Sequence, residues 1–245
     1  MIIKSTFDFQ QFVFSGFWNV LDWIYPPVCA SCSEPGYRLC PECFEKIKFL
    51  HGSRCDICGG VINEHVKRCR NCKKKTPPYD GLVSLAIYDG VMRDCIHALK
   101  YDNNQSLGDT FSKWLVPLVH QNDWGLDMVT PVPLSAKRYR ERGYNQSSLI
   151  ARPLAARLYL KCIPFAVRRI RHTPSQVGLS AEERRLNVIG AFKAEEDLVI
   201  GKRILLVDDV MTTGATISSC AKALHDAGAS AVYCITLARY SPQLG

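Results

Sequence analysis

Two groups of residues in this chain have the types and spacing to do chemistry, and the first is built of cysteine. Eight of the twelve cysteines stand as four C-x-x-C pairs: Cys29 and Cys32, Cys40 and Cys43, Cys55 and Cys58, Cys69 and Cys72. One such turn aims two thiolates at one ion, and two turns complete the closed, four-sulfur tetrahedral shell of structural zinc. Four pairs make two structural Zn2+ sites. Pairing in sequence order leaves spacers of seven and ten residues and is the preferred arrangement, with an interleaved one open. A saturated shell keeps no position for water, so catalytic zinc is not expected. A disulfide cluster would need an oxidising compartment, and a redox pair would sit in a βαβ pattern that these turns lack.

The second group is residues 203–216, R-I-L-L-V-D-D-V-M-T-T-G-A-T: an apolar run, two adjacent acids, a Thr/Gly turn, then a helical pattern. Ligands of open α/β sheets bind beyond the carboxyl ends of the strands, and a helix N-terminus with free N–H groups is an anion site. Thr212, Thr213, Gly214, Ala215 and Thr216 can offer backbone N–H groups and hydroxyls to one phosphate. Asp208 and Asp209 cannot. They suit vicinal hydroxyls, or a Mg2+ shared with them. The implied ligand is a sugar carrying a phosphate and a diol.

These residues must be positioned by ordinary elements. Strands are expected at 82–88, 128–132, 203–207 and 231–237, and helices at 105–119, 145–160 and 214–227. Such alternation is an α/β sheet covered by helices. Before the cysteines, Phe9, Phe12, Phe17, Val20, Leu21 and Ile24 form the stripe of an amphipathic helix that Pro26 and Pro27 end. The expected division is an N-terminal helix and double zinc module at 1–79, stapled by metal, and a sheet domain at 80–245. With 22% charged residues and a mean hydropathy of −0.06, the chain is not disordered, and no run is apolar enough to span a bilayer. Cys220 and Cys234 lie in apolar patterns and read as core.

Residues 204–216 resemble the phosphoribosyl pyrophosphate (PRPP) signature of type I phosphoribosyltransferases. The resemblance implies that Asp208 and Asp209 hold the ribose hydroxyls, that residues 212–216 hold the 5'-phosphate, and that Mg2+ accompanies PRPP. The segment 130–146, T-P-V-P-L-S-A-K-R-Y-R-E-R-G-Y-N-Q, the later T-P-S-Q-V-G-L-S-A-E-E-R-R-L-N-V-I-G-A-F, the segment H-A-L-K-Y-D and the cysteine module extend the likeness. Together they are similar to the ComF family from Pro26 to about Ala238. That family joins a small zinc-binding module to a type I phosphoribosyltransferase-like parallel sheet flanked by helices.

By position the resemblance makes 131–138 a pyrophosphate loop. It sets Lys100, Arg142, Tyr144, Asn145 and Gln146 in family elements beside the site, and Gln176, Arg184 and Asn187 in a mobile flap. It implies involvement in DNA uptake during natural transformation. Single-stranded DNA is then an expected partner, with a competence helicase or membrane channel beside it, and the expected location is cytoplasmic and peripheral to the inner membrane.

Charge placement agrees with an anion site. Residues 137–185 hold twelve Lys and Arg against three acids. Lys137, Arg138 and Arg142 are the candidates to stabilise a leaving pyrophosphate. The side of an attacking nucleophile is not evident, because Thr212 stands where purine-salvage relatives commonly carry an acid. The alternative activities are therefore a PRPP-binding accessory protein and a working phosphoribosyltransferase on an unidentified base or amine. The zinc module and the segment around Lys100 are the expected substitute for a base-binding hood. A second basic run, Lys67, Arg68, Arg70, Lys73, Lys74 and Lys75, suits nucleic acid or charge balance for the thiolates.

Overall fold

The computed structural model describes residues 26–171 and 190–240. Five parallel strands form its centre: β1 Gly81–Ile87, β2 Met128–Pro131, β3 Lys161–Cys162, β6 Arg203–Met211 and β7 Ala231–Arg239, in the spatial order β1-β7-β6-β2-β3. Leu205, Leu206 and Val207 are all buried, as a strand covered on both faces requires. Helices α3 Gly90–Tyr101, α4 Leu107–Asn122 and α6 Gln146–Arg157 enclose Ile96, Phe111 and Ile150 on one face. On the other lie α8 Ala215–Asp226 and the antiparallel hairpin β4 Val167–Arg169 with β5 Phe192–Ala194, around Phe192, Ile217 and Leu224. Short helices α1 Pro41–Glu45, α2 Arg70–Lys74, α5 Ala136–Arg142 and α7 Glu196–Val199 complete the described residues.

The parallel α/β sheet is the one expected from the sequence, and each expected strand and helix of the sheet domain is present with shifted ends. The largest shift is in β6, which continues through Asp208 and Asp209 to Met211 because β7 runs on beside it, pairing Ala238 with Val210 and Arg239 with Met211. Not foreseen in the sheet domain were α3, β3, α5, α7 and the β4–β5 hairpin. The stripe on residues 1–25 and the residues Gln176, Arg184 and Asn187 lie outside the described residues. Cys95, Cys220 and Cys234 are fully buried.

The cysteines pair in sequence order, Cys29, Cys32, Cys40 and Cys43 in one group and Cys55, Cys58, Cys69 and Cys72 in the other. Both units are built alike. The third cysteine caps a five-residue helix, its sulfur accepting the N–H of the fourth at 3.4 Å in each unit. Its own N–H points to the sulfur of the first, at 3.4 Å in one unit and 3.3 Å in the other.

The two units straddle the exposed edge of the sheet. Residues 48–50 run antiparallel to β1, with Leu50 N–H donating to Leu85 O at 3.0 Å and Ile87 N–H to Lys48 O at 2.9 Å. An edge strand otherwise left open is thereby covered. Cys29, Cys40 and Cys43 join the core under α3 and α4, while Cys55, Cys58 and Cys72 join the core of the opposite face. Close approach of the second unit depends on Gly59, at φ +61°, where any side chain would collide with the Leu82 carbonyl.

Candidate functional site: an acidic pair and an anion turn at the strand switch

The order β1-β7-β6-β2-β3 contains a switch point. From β2 the chain proceeds outward to β3, whereas from β6 it proceeds the other way to β7, so the segments leaving β2 and β6 diverge. A cavity opens there. It is lined by residues 132–134 and Arg138 after β2, and by 208–217 at the end of β6 and beyond it. Tyr88, Lys100, Gln146 and Arg169 close it from other elements.

Asp208 and Asp209 lie at its floor, 8% and 5% exposed. Asp208 Oδ1 accepts the Ser147 hydroxyl at 2.9 Å and the Asp209 N–H at 3.0 Å. Asp209 Oδ1 accepts the Val210 N–H at 2.9 Å, and its Oδ2 is paired with Lys100 Nζ at 2.5 Å. Burial and the neighbouring Asp209 push the Asp208 carboxyl up to about 8. Burial acts the same way on Asp209, but the Lys100 ammonium outweighs it and holds that carboxyl below its ordinary value. Burial would lower Lys100, and the Asp209 carboxylate reverses this, so the ammonium stays charged. Two adjacent acids thus have different characters. One is a carboxylate in an ion pair, and the other titrates near neutrality.

Beyond them, Gly214 is the N-cap of α8 at φ +72° and has no side chain of its own to cap the helix. Thr213 Oγ1 accepts the Ala215 N–H at 3.4 Å, and residues 212–216 line the cavity at this helix N-terminus. The opposite wall carries positive charge. Arg138 and Arg169 both line the cavity, and they are close enough that Arg138, after burial, contributes to holding the Arg169 guanidinium below its usual range.

The remaining candidates divide into framework and exterior. Asn145 caps α6 through the Ser147 N–H at 3.1 Å, and its amide donates to Val132 O at 3.0 Å, fixing the segment after β2. The Tyr144 hydroxyl donates to Leu99 O at 2.8 Å, beside Lys100. Arg142 donates to Gln146 Oε1 at 2.8 Å and lies 4.8 Å from the centre of the Tyr101 ring. Lys137 is 76% exposed, 3.9 Å from Glu141, and does not line the cavity. Of the three leaving-group candidates, only Arg138 is a cavity residue. Arg169 was missed by sequence reasoning. Its signal, a basic triplet-like run at 168–171 in the charged stretch, does not say which side chain turns inward. Among the described residues, no cysteine-unit residue lines the cavity. On the hood side it is closed by Tyr88 and Lys100.

Within each cysteine unit the four ligand atoms lie within 4.8 Å of one another. N–H groups directed at sulfur stabilise thiolates, as in Cys29, where they outweigh burial and bring the thiol down to about 6. Both groups therefore fit structural Zn2+ in chemistry and in compactness.

Two families match the chain: "Double zinc ribbon domain" over residues 20–79, and "Phosphoribosyl transferase domain" over 145–243. The chain is 33% identical over 223 residues to DNA utilization protein YhgH of Escherichia coli K12, covering 87% of this chain and 97% of that protein. It is 32% identical over 209 residues to Competence protein F of Haemophilus influenzae, covering 82% and 90%. Among solved structures, adenine phosphoribosyltransferase from Thermoanaerobacter pseudethanolicus is similar at 17% identity, over 56% of this chain and 83% of that one, with a TM-score of 0.36. Tandem four-cysteine units ahead of a phosphoribosyltransferase-type sheet, aligned with these relatives over nearly their whole length, show that the chain belongs to the ComF family.

Proposed function

We propose that the cavity binds PRPP and that the protein is an accessory factor of natural competence that assists the handling or import of single-stranded DNA. The observation that supports this most is the division of one cavity into three chemically different walls. An acidic pair suits the ribose diol, the Thr/Gly turn at the start of α8 suits the 5'-phosphate, and Arg138 with Arg169 suit the pyrophosphate.

Each group then has a task. Asp208 accepts from the ribose diol, with Asp209 beside it holding the Lys100 ammonium. Thr212, Thr213, Gly214, Ala215 and Thr216 surround the 5'-phosphate, with Gly214 allowing its close approach. Arg138 and Arg169 balance the pyrophosphate, and Asn145 keeps the 132–135 segment at the height that this requires. Mg2+ carried by the pyrophosphate would supply charge neutralisation there.

The names of the relatives, one concerned with DNA utilization and another with competence, support the DNA half of the reading. So does the surface beside the cavity. Helix α5 buries none of its residues and carries Lys137, Arg138, Arg140 and Arg142, with Tyr101 and Tyr139 exposed beside them. Exposed arginines interleaved with aromatic rings suit a single strand's phosphates and bases.

Calorimetry with PRPP and Mg2+ tests the ligand. One-site binding is expected, reduced at least a hundredfold by Asp208→Asn combined with Asp209→Asn, and unchanged binding in that variant would remove the assignment. Release of pyrophosphate from PRPP in the presence of a base or amine panel would establish the alternative, a working phosphoribosyltransferase.

A further inference from the structure

The acidic pair already has a cation of its own. Lys100 Nζ sits 2.5 Å from Asp209 Oδ2, with 18% and 7% of the two side chains exposed. The lysine is held in place from several directions. It occupies the last turn of α3, whose Met92, Ile96 and Leu99 are fully buried, and the carbonyl of Leu99 accepts the Tyr144 hydroxyl. Such an ammonium belongs to the framework rather than to a mobile surface chain.

Of the four carboxylate oxygens in the pair, three are engaged by Ser147, backbone N–H groups and Lys100. The Asp208 carboxyl also hydrogen-bonds the Asp209 side chain, and its Oδ2 takes no part in the contacts to Ser147, the backbone or Lys100. A Mg2+ ligated by Asp209 Oδ2 at its usual distance of about 2.1 Å would lie at most about 4.6 Å from the ammonium, given the 2.5 Å pairing distance. Like charges so close in a buried site are strongly unfavourable. The pair as built does not fit a protein-bound metal.

We propose that Lys100 is the fixed counter-cation of the acidic pair, so that the cavity takes the ribose 5-phosphate half of its ligand without a divalent metal. The ammonium has two further N–H donors for a ribose hydroxyl, and Asp208 Oδ2 accepts from the diol. A divalent cation then enters only on a pyrophosphate group and leaves with it. The ligand class defined by this arrangement is a 5-phosphorylated ribofuranose with its diol free. This rests on the phosphoribosyl reading of the cavity.

The test uses ribose 5-phosphate as probe, titrated into the full-length zinc-loaded protein by calorimetry in buffer that is either cleared of divalent cations over a chelating resin before the protein is added or supplied with millimolar MgCl2. Equal affinity within about twofold in the two buffers is expected. Lys100→Met should bind at least tenfold more weakly without metal, and Lys100→Arg should restore metal-free binding. Titrating MnCl2 alone, followed by the loss of its free-ion paramagnetic signal, should show no Mn2+ at the wild-type cavity and weak binding in Lys100→Met. Zinc content and circular dichroism verify that the variants fold. Wild-type binding of ribose 5-phosphate only with MgCl2, or Mn2+ binding that Asp209→Asn abolishes in wild-type background, would overturn the proposal. Failure of both ribose 5-phosphate and PRPP to bind in either buffer would instead remove the phosphoribosyl reading itself.

Discussion

Asp208 shows how far a single buried side chain can be set against the stability of its own fold. Its carboxyl is buried, with Asp209 adjacent, and is pushed up to about 8 from an ordinary 3.8. A native state that holds its proton more tightly than the unfolded chain loses stability as pH rises between those values. The contribution is fully present below pH 4 and is gone above pH 8. Asp208→Asn keeps an acceptor for the Ser147 hydroxyl and the Asp209 N–H while removing the charge. Thermal unfolding is expected to show the variant more stable than wild type by about 2 kcal/mol at pH 8.5, with the difference vanishing by pH 4. Binding of ribose 5-phosphate should weaken in the same variant. A variant less stable at pH 8.5 than wild type would contradict this account of the site. The two acids were legible in the sequence as a pair. Their inequality was not, because it comes from Lys100, about a hundred residues away in the chain on a helix whose pattern was not recognised.

At the scale of elements, the cavity is made by connections. Asn145 joins α6 to the segment leaving β2 through two different bonds, an acceptor at the cap and a donor to Val132 O. Its two halves are separable by mutation. Asn145→Ala should cost about 1–2 kcal/mol in chemical denaturation, from the lost cap and the exposed partner group. Asn145→Asp keeps the cap, so its stability should stay within about 0.5 kcal/mol of wild type, while PRPP affinity falls severalfold in both. Equal affinity in Asp and wild type would mean that the Val132 bond does not position the loop.

The sequence pattern placed β6 and α8 well because a buried strand, a Thr/Gly turn and an amphipathic helix each leave a local signal. It placed α5 and the hairpin poorly. Helix α5 buries nothing and so has no apolar stripe to read, and β4 and β5 are three residues each, with a long segment between them. Arg169, which turns into the cavity from that hairpin, inherits the difficulty.

Across the whole molecule, the metal units and the sheet depend on one another. The cysteine groups contribute to both cores and shield β1, so metal loss should be felt well away from the sulfurs. Metal analysis should find two zinc ions per chain, and near one would contradict two closed four-cysteine sites. Chelation should lower the unfolding temperature of the whole protein and raise hydrogen exchange in β1. Gly59→Ala should destabilise by about 2–3 kcal/mol without reducing zinc content, because it offends the contact with Leu82 rather than the ligands.

The excess of Lys and Arg acquires a geography in the same way. Arg138 and Arg169 serve the cavity, the rest of α5 lies beside it, and the basic run of the second cysteine unit is exposed. If DNA uses the α5 surface, neutralising Lys137 together with Arg140, neither of which lines the cavity, should weaken oligonucleotide binding and flatten its salt dependence, leaving PRPP affinity nearly unchanged. Loss of PRPP binding in that variant would show that the two surfaces are not separate.

A phosphoribosyl site at the β2–β6 switch stands or falls on a crystal structure with PRPP and Mg2+. The 5'-phosphate is expected at the start of α8 within hydrogen-bonding distance of residues 212–216, the ribose diol at Asp208, Lys100 still paired with Asp209, and the pyrophosphate between Arg138 and Arg169. PRPP bound elsewhere, or in this cavity with its pyrophosphate on the 212–216 turn and its ribose away from Asp208, would contradict it.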